Sequence, residues 1–310
     1  MNKQVYIVYG PTASGKSALV DQLAQMHAIT IINMDAVQVY RDFNIGAAKP
    51  DLATRSQHPH ALFDVVDVPE SFSVAQYLSL LDNAIKASLR EHRTPVLVGG
   101  TMLYLNAIMQ GGLVTTPAIP ANIQLCIDQV LKPLTQQQKY LALMLNDPDW
   151  AKRIHPHDQQ RTHRGLSLYL ALQVPGSSFY QTNAKPLYET VLIAVKPSCR
   201  QWLHRQIEQR VHAMIDTGLM DEVLQLLDKH HDHMDHFIFR SIGYRQAIDW
   251  LKSGKPVESL IESIIIATRQ FAKRQMTWMQ KFNPDIVFDP IKNESISSLL
   301  SAKSYGICRQ

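Results

Sequence analysis

The chain has 310 residues, of which 45% are hydrophobic and 19% charged, and 31 Lys and Arg against 27 Asp and Glu give a net charge of +4. This composition excludes a disordered or fibrous protein, and no apolar run reaches the roughly 18–20 residues of a membrane-spanning helix. The N-terminal run lacks a signal-peptide cleavage pattern, and Cys126, Cys199 and Cys308 form no C-x-x-C pair. We therefore expect a cytoplasmic protein of one large or two modest domains, without a disulfide framework or a zinc site.

Short apolar runs alternate with helical spacing in the first 110 residues. Strands are predicted at Val5–Tyr9, Thr30–Met34 and Pro95–Val98, and helices at Ser17–Met26 and Ser73–Arg90. This alternation is typical of βαβ units, which build a parallel sheet. The first third of the chain therefore predicts an α/β fold.

The rest of the chain is predicted to be mainly helical. Residues 115–187 are rich in Gln and Pro and show no convincing strand, which indicates an all-helical insertion into a core made of residues 1–114 and 188–310. Strands return at Thr190–Val195 and Asp285–Phe288. Helical patterns cover residues 198–215, 219–229, 240–252 and 257–282, with Gly218 and Gly254 as breaks.

Residues 10–17 form a candidate phosphate loop between the first strand and the first helix. They fit the pattern G-x-x-x-x-G-K-[ST] with Gly10, Pro11, Thr12, Ala13, Ser14, Gly15, Lys16 and Ser17. Glycines let the backbone wrap around an anion, and the following helix directs its free N–H groups towards it. Lys16 supplies positive charge to the outer phosphate, and Ser17 can ligate Mg²⁺. The loop therefore predicts a site for a di- or triphosphate.

A second strand end carries the carboxylate that this site needs. Val96–Val98 is followed by Gly99, Gly100 and Thr101 without an acidic residue, whereas the second predicted strand ends at Asp35. Because parallel strands end at the same edge of a sheet, we expect Asp35, Thr101 and the phosphate loop to face one crevice. This favours group transfer, with Asp35 as base and Thr101 as hydroxyl donor, over an NTP-hydrolysing machine. A helix cap or turn residue at Asp35 and a helix N-cap at Thr101 are the structural alternatives.

The positive charge is concentrated late in the chain. Residues 1–110 contain 8 basic and 9 acidic side chains, whereas residues 240–281 contain 8 basic and 3 acidic ones. The charge by itself favours a solvated helix face, and a binding patch is the alternative.

Together these residues resemble the tRNA dimethylallyltransferases (tRNA isopentenyltransferases) over about residues 5–282. The matching segments are residues 10–17, 35–40, 45–50, 98–104, 153–161, 242–246 and 267–278. The resemblance implies a P-loop NTPase-like parallel-sheet core with an all-helical insertion and C-terminal helices. It also implies transfer of a dimethylallyl group from dimethylallyl diphosphate to N6 of adenosine 37 in tRNA, beside the anticodon, with Mg²⁺ and release of diphosphate. The phosphate loop then holds the donor diphosphate.

The resemblance also assigns roles to individual residues. It implies that Asp35 is the general base, that Thr101 and Lys16 serve the leaving group, and that Arg210 is catalytic. The implied tRNA contacts are Asp35, Ala36, Val37, Gln38, Thr101, Ile123, Gln124, Gln159, Gln160, Arg161, Thr162, His163, Arg164, Arg240, Ser241, Ile242, Gly243, Tyr244, Arg245, Lys273, Arg274, Gln275, Met276, Thr277, Trp278, Met279 and Gln280. The target adenine is expected to flip into a channel, with Gln38 as a reader of its edge.

The chain departs from the family pattern at several positions, which affect single tRNA contacts rather than the reaction. They are Ala36 for Ser, Ala47 for Thr, His157 in an Asn-Asp pair, Gly165 for Ala, Gln280 for a basic residue, and Ile123 or Gln124 for another.

The residues of the C-terminal helix are interpreted as having two roles, phosphate binding and core packing. Its basic residues, Lys273 among them, are candidates for phosphates of the anticodon stem, and Phe271 and Trp278 are interpreted as core residues. The His-rich run 230–236 is interpreted as a solvated loop between helices, and His58 and His60 as loop residues.

Three other functions stay open at this point: a small-molecule P-loop kinase, a prenyltransferase acting on free adenine nucleotides, and a non-catalytic RNA-binding module. The first two leave the basic C-terminal helices unused. The favoured interpretation has tRNA and dimethylallyl diphosphate as partners, no membrane partner, and a monomer.

Overall fold

Six strands form one parallel sheet in the computed structural model, which describes residues 4–112, 119–179, 185–292, 295, 296 and 300. The strands are β1 (Val5–Tyr9), β2 (Ile29–Asn33), β3 (His60–Ala61), β4 (Thr94–Gly99), β5 (Thr190–Val195) and β6 (Ile286–Phe288). Their spatial order is β3-β2-β4-β1-β5-β6, and each neighbouring pair is parallel. The carboxyl ends of β1, β2 and β4 therefore lie side by side at one edge.

The helices fall into two compact units, Gln110–Lys185 and the remainder of the chain, Met1–Met109 with Pro186–Gln310. The larger unit contains α1 (Lys16–Met26), α2 (Leu52–Gln57), α3 (Val74–Arg90), α4 (Met102–Met109), α9 (Arg200–Asp216), α10 (Leu219–Lys229), α11 (Tyr244–Leu251) and α12 (Val257–Met279). The smaller unit contains α5 (Ala121–Leu131), α6 (Gln136–Asn146), α7 (Pro148–Ala151) and α8 (Gln159–Leu172). In the described part of the smaller unit, all regular structure is helical.

Alternate residues of β1 pack on opposite faces of the sheet. Val5, Ile7 and Tyr9 belong to a cluster shared with α3 and α4. Tyr6 and Val8 belong to a second cluster shared with α1. Because both faces are covered, the strand is apolar throughout rather than alternating, as parallel strands usually are. A third cluster joins α9, α10, α11 and α12 to residues 39–43, so the C-terminal helices pack onto the segment that follows β2.

The smaller unit has its own apolar cluster, and one tryptophan limits its packing. Ile127, Leu143 and Leu166 are buried there with their neighbours. A methyl group added at Gly165 would lie 2.8 Å from Leu143 and 3.0 Å from Nε1 of Trp150. The Leu143 side chain and the Trp150 ring therefore occupy the space that a side chain would need at this position.

Most predicted elements are confirmed, and the largest exception is the helix predicted at 240–252. The chain instead forms a short 3₁₀ helix at Phe237–Arg240 and begins α11 at Tyr244. Gly243 separates them with a φ of +94°, a left-handed value that glycine adopts without a steric penalty. The Gln246 side chain accepts a hydrogen bond from the Gly243 amide and so fixes the start of α11.

Two expectations about histidines are also corrected. His60 lies in β3 rather than in a loop, because its backbone pairs with Ile31. The run 230–236 is not wholly solvated, since His230 is buried and residues 231–233 form a 3₁₀ turn. His230 Nε2 lies 3.5 Å from the Asp42 carboxylate.

The domain boundary predicted at 114/115 and Cys308 lie outside the described residues. The boundary predicted at 187/188 lies two residues beyond the smaller unit, which ends at Lys185. Within the described ranges, no helix is both long and apolar enough to cross a bilayer.

Gly99→Ala is expected to lower the free energy of unfolding by about 3 kcal/mol. The added methyl would lie 2.1 Å from the carbonyl oxygen of Met34, where only movement of the backbone gives relief. Gly254→Ala is the control: no described atom lies within 4 Å of its methyl, and only a φ of +64° opposes a side chain. We expect a loss of about 1 kcal/mol there. Urea unfolding measures both losses, and equal values would contradict the steric explanation.

Candidate active site

A cavity of about 650 Å³ lies at the carboxyl ends of β1, β2 and β4. It brings together three parts of the sequence prediction: the phosphate loop, the segment 35–38 and Thr101. Arg210 of α9 and the residues 46–48 also line it, as do Phe271 and Trp278 of α12. The lining is more apolar than polar, as expected of a pocket that takes an organic ligand with a charged end.

The phosphate loop has the backbone shape that an anion site requires. Gly15 has a φ of +88°, and the helix α1 that follows it has no side-chain N-cap. The first N–H groups of α1 are therefore available to a ligand. Gly10 has no room for a side chain, because a methyl group there would lie 2.5 Å from the carbonyl oxygen of Val195.

Two cations and one carboxylate interact within the cavity. Lys16 donates a hydrogen bond to the carbonyl oxygen of Pro11 at 2.7 Å. Its pKa is lowered to about 7, chiefly by burial and secondly by the neighbouring Arg210, while Asp35 opposes the change. Burial also lowers the pKa of Arg210, again against the attraction of Asp35. Both cations lose solvent without a complete counter-charge, so an anionic ligand would stabilise them.

Asp35 is both a turn residue and a cavity residue. Its Oδ1 atom accepts the amide N–H of Val37 at 2.8 Å and that of Gln38 at 3.4 Å. The buried Asn33 side chain accepts the Asp35 amide at 2.9 Å and donates to the carbonyl oxygens of Asp35 and Leu62. The turn therefore fixes the carboxylate at the cavity, and its role as base stays a prediction.

Thr101 links the ends of β2 and β4. Its Oγ1 accepts the amide N–H of Ala36 at 3.0 Å, while its own amide donates to the carbonyl oxygen of Met34 at 3.3 Å. Because the hydroxyl accepts this bond, its proton stays available to a ligand oxygen. The side chain therefore faces the segment 35–38 rather than capping α4.

Gln275 differs from its predicted role in RNA binding. The side chain is buried, its Oε1 accepts the Thr12 amide at 2.8 Å, and its Nε2 donates to the carbonyl oxygen of Gly100 at 2.8 Å. Both ends of the amide are therefore used to join the phosphate loop to the turn before Thr101. The local sequence carried no signal of this role, since the residues it joins are 263 and 175 positions away.

The other predicted RNA contacts of the larger unit differ in how far their side chains are exposed to solvent. Tyr244 and Met279 are buried, whereas the basic residues Lys273 and Arg274 are exposed. The core interpretation of Phe271 and Trp278 is wrong in part, because both are half-buried and line the cavity. Among the remaining predicted contacts, Gly243 is buried. The half-buried ones are Ser241, Ile242, Met276 and the segment 36–38, and the exposed ones are Arg240, Arg245, Thr277 and Gln280.

In the smaller unit, one predicted RNA contact is unavailable in this structure. Thr162 is buried, and its hydroxyl accepts a hydrogen bond from Gln136 at 3.2 Å. Of the other predicted RNA contacts in this unit, Gln124 and His163 are half-buried. The exposed ones are Ile123, Gln159, Gln160, Arg161 and Arg164. Gln124 and His163 both bond to the Asp128 carboxylate.

Glu222 holds a segment of the cavity wall, a role that sequence reasoning missed. Its carboxylate binds three backbone amides of residues 44–46, which lead into the cavity lining. The residues that it joins lie 176–178 positions away in sequence, so periodicity and spacing give no indication of the contact.

Lys16 is expected to take up a proton when diphosphate binds. With a pKa of about 7 in the free protein, the side chain is mostly neutral at about pH 8, and the bound anion favours its charged form. Diphosphate affinity should therefore fall as the pH rises from about 6 to about 9. Titration calorimetry at about pH 8, in buffers of different ionisation enthalpy, measures the proton uptake.

The control is Lys16→Arg, because a guanidinium stays charged throughout this range. It should bind diphosphate with less proton uptake than the wild type. Equal uptake by both proteins would contradict the assignment, since titration of the ligand alone would then account for it.

Comparison with known proteins identifies the relatives of this chain. Residues 38–282 match the family model of the IPP transferases. The chain is 38% identical over 295 residues to a tRNA dimethylallyltransferase of Legionella pneumophila (strain Lens), covering 93% of this chain and 92% of that protein. It is 36% identical over 298 residues to the tRNA dimethylallyltransferase of Burkholderia orbicola (strain MC0-3), covering 94% and 92%.

Solved structures give the same result. The full-length tRNA isopentenylpyrophosphate transferase of Bacillus halodurans matches with a TM-score of 0.70 at 28% identity, covering 98% of this chain and 95% of that one. A eukaryotic dimethylallyltransferase acting on tRNA matches with a TM-score of 0.82 at 26% identity, covering 100% and 82%. The predicted P-loop NTPase-like α/β fold is thereby confirmed. On both its sequence and its fold, the chain belongs to the IPP transferase family.

Proposed function

We propose that this chain transfers a dimethylallyl group from dimethylallyl diphosphate to N6 of adenosine 37 in tRNA. The observation that carries the proposal is that Asp35, Thr101 and Arg210 line one cavity with the phosphate loop. This arrangement supplies a carboxylate base beside a diphosphate site, as the transfer requires. The relatives named as tRNA dimethylallyltransferases support the same reaction. The enzyme would act as a monomer in the cytoplasm, where tRNA is found.

The reaction makes a carbon–nitrogen bond, breaks a carbon–oxygen bond and moves one proton. The adenine N6 atom attacks C1 of the dimethylallyl group, and the bond between C1 and the diphosphate oxygen breaks, with its electron pair leaving on the oxygen. The N6 proton passes to the Asp35 carboxylate. Lys16 and Arg210, together with the Thr101 hydroxyl and the loop amides, stabilise the negative charge on the leaving diphosphate.

Asp35 is suited to be the base because only one of its two carboxylate oxygens accepts hydrogen bonds from the turn. Oδ1 accepts two backbone amides of its own turn. Among the described residues no hydrogen bond occupies Oδ2, so this oxygen can accept the N6 proton. The turn prevents the carboxylate from rotating, which keeps the proton acceptor in one position.

The residues fit a magnesium ion that is held mainly by the substrate. In the described part of the chain, no group of three His, Cys, Asp or Glu side chains could hold an ion alone. The exposed Ser17 hydroxyl, in the first turn of α1, is a suitable single oxygen ligand beside a diphosphate. When bound, the ion would neutralise part of the charge on the diphosphate.

The C-terminal helix supports tRNA as the second substrate. Lys273 and Arg274 are exposed on α12, and the Arg274 guanidinium lies 5.8 Å from the Phe271 ring centroid. Lys281 lies 4.4 Å from the Trp278 ring centroid. Cationic groups over aromatic rings beside a cavity suit a flipped base and the phosphates around it. A small-molecule kinase would leave this surface without a role.

The proposed reaction is tested with labelled dimethylallyl diphosphate and three acceptors: tRNA, AMP, and ATP with small molecules. We expect label to enter tRNA only. Asp35→Asn should lower turnover by roughly 10²–10⁴-fold, because it keeps an oxygen for the turn amides but removes the base. Its tRNA affinity should stay near that of the wild type. Asp216→Asn, which removes an exposed carboxylate at the end of α9, is the matched control.

Two outcomes would contradict the proposal. Label that enters AMP but not tRNA would show that free nucleotides are the acceptors. Full turnover by Asp35→Asn would remove the assignment of Asp35 as base.

The α12 surface is tested by the salt dependence of tRNA binding. Replacing both Lys273 and Arg274 with Ala should weaken binding and reduce the slope of log K against log salt by about 1.4–1.8, since each phosphate contact contributes about 0.7–0.9. Lys252→Ala and Lys255→Ala together form the control, because both residues are exposed between α11 and α12. An unchanged slope in the Lys273 and Arg274 variant, measured by filter binding at several salt concentrations, would remove this surface from the tRNA site.

A further inference from the structure

Glu222 is a buried carboxylate with four hydrogen-bond donors. It lies in the first turn of α10 with 9% of its surface exposed. Its Oε2 accepts the amides of Asn44 at 3.1 Å and Ile45 at 2.8 Å. Its Oε1 accepts the Gly46 amide at 3.1 Å and the Tyr244 hydroxyl at 2.7 Å. Four donors on one desolvated carboxylate make a strong anchor, because each bond is charge-assisted.

Tyr244 extends this anchor to the next residue of the loop. Its hydroxyl oxygen accepts the Ala47 amide at 3.2 Å while its proton is donated to Glu222. A methyl group added at Gly46 would lie 2.5 Å from the tyrosine ring, so the ring packs directly against the loop backbone. Burial beside the Glu222 carboxylate raises the pKa of Tyr244 well above its ordinary value. The hydroxyl therefore remains a donor, and residues 44–47 are held in one conformation.

The fixed loop determines how Gln38 presents its side chain. Gln38 Nε2 donates to the carbonyl oxygens of Ala47 at 3.0 Å and Ala48 at 3.1 Å. A reversed amide would place its oxygen against both carbonyl oxygens, so this orientation is the one that the loop allows. Both N–H groups are used, and Oε1 is the group left for a ligand. Gln38 lines the cavity three residues after Asp35.

We propose that Glu222 is a positioning residue that selects the acceptor base through Gln38. By holding residues 44–48, it directs a hydrogen-bond acceptor, and no donor, towards the base. A glutamine that reads adenine usually bonds through both its oxygen and its nitrogen. Here the nitrogen is occupied, so the site recognises a base by its exocyclic amine. The inference rests on the proposed function, because it assumes that an adenosine occupies the cavity.

A base with a carbonyl oxygen in place of the amine would be rejected. Inosine differs from adenosine at this position: its O6 atom would meet Gln38 Oε1, so two acceptors would face each other. Loss of one hydrogen bond corresponds to about a three- to tenfold change in affinity. An affinity measured without donor depends on this contact but not on the transfer step. It therefore distinguishes a positioning role from a catalytic one.

The test compares RNA stem-loops that carry adenosine or inosine at the target position. Equilibrium binding, measured without donor, gives the ratio of the two affinities. The wild type should prefer adenosine by at least about three- to tenfold. Glu222→Gln should lower that ratio by a similar factor, because its NH₂ group would face loop amides that are themselves donors. Its affinity for inorganic diphosphate should be unchanged. Asp221→Asn, which removes an exposed carboxylate from the same turn, should leave both values unchanged.

Tyr244→Phe provides the second variant, which removes one donor to Glu222 without removing a charge. It should lower the adenosine preference as well, and its effect should not add to that of Glu222→Gln, because the two residues share one network. If Glu222→Gln does not fold, Tyr244→Phe and the wild type still decide the question.

Three results would overturn the inference. They are a wild type without adenosine preference, variants that keep the full preference, and a loss of diphosphate affinity equal to the loss of preference. Failure of the proposed function gives a different result. A wild type that prefers adenosine in binding but transfers no label would refute the transfer and leave the role of Glu222 intact.

Discussion

Hydrogen bonds join the three turns that follow β1, β2 and β4 at one edge of the sheet, and the site depends on these bonds. The turn after β2 bonds to Thr101 through the Ala36 amide, and the Met34 carbonyl oxygen accepts the Thr101 amide. Gln275 joins the turn after β4 to the phosphate loop after β1. Since the three strands are parallel, their ends are already adjacent, and these few bonds fix the remaining freedom. Asp35, Thr101 and the phosphate loop therefore share one rigid frame.

Charge acts locally in this molecule. The first 110 residues, which contain the phosphate loop and Asp35, hold 8 basic and 9 acidic residues. The site nevertheless suits an anion, because burial lowers the pKa values of Lys16 and Arg210 beside it and no side chain caps the N-terminus of α1. The exposed cations of α12 form a separate surface. The loop with its two neighbouring cations thus suits a small anion, whereas the exposed cations of α12 suit a polyanion.

The predictable part of the site was the part that is local in sequence. The phosphate loop, Asp35 and Thr101 each follow a strand, so the rule that parallel strands end at one edge placed them together. Glu222 and Gln275 could not be predicted this way, because their partners lie more than 170 positions away. The break at Gly243 was missed because the residues on both sides continue a helical pattern. Long-range packing, rather than periodicity, decides these positions.

Trp150 gives the smaller unit a different kind of constraint. Its ring lies where a methyl group at Gly165 would be, and it also lies 2.9 Å from where a methyl group at Gly176 would be. One large side chain thus fills volume that two glycines leave empty. Substitutions among these three positions are therefore interdependent: a side chain added at Gly165 or Gly176 requires the Trp150 ring to move or to be replaced by a smaller one.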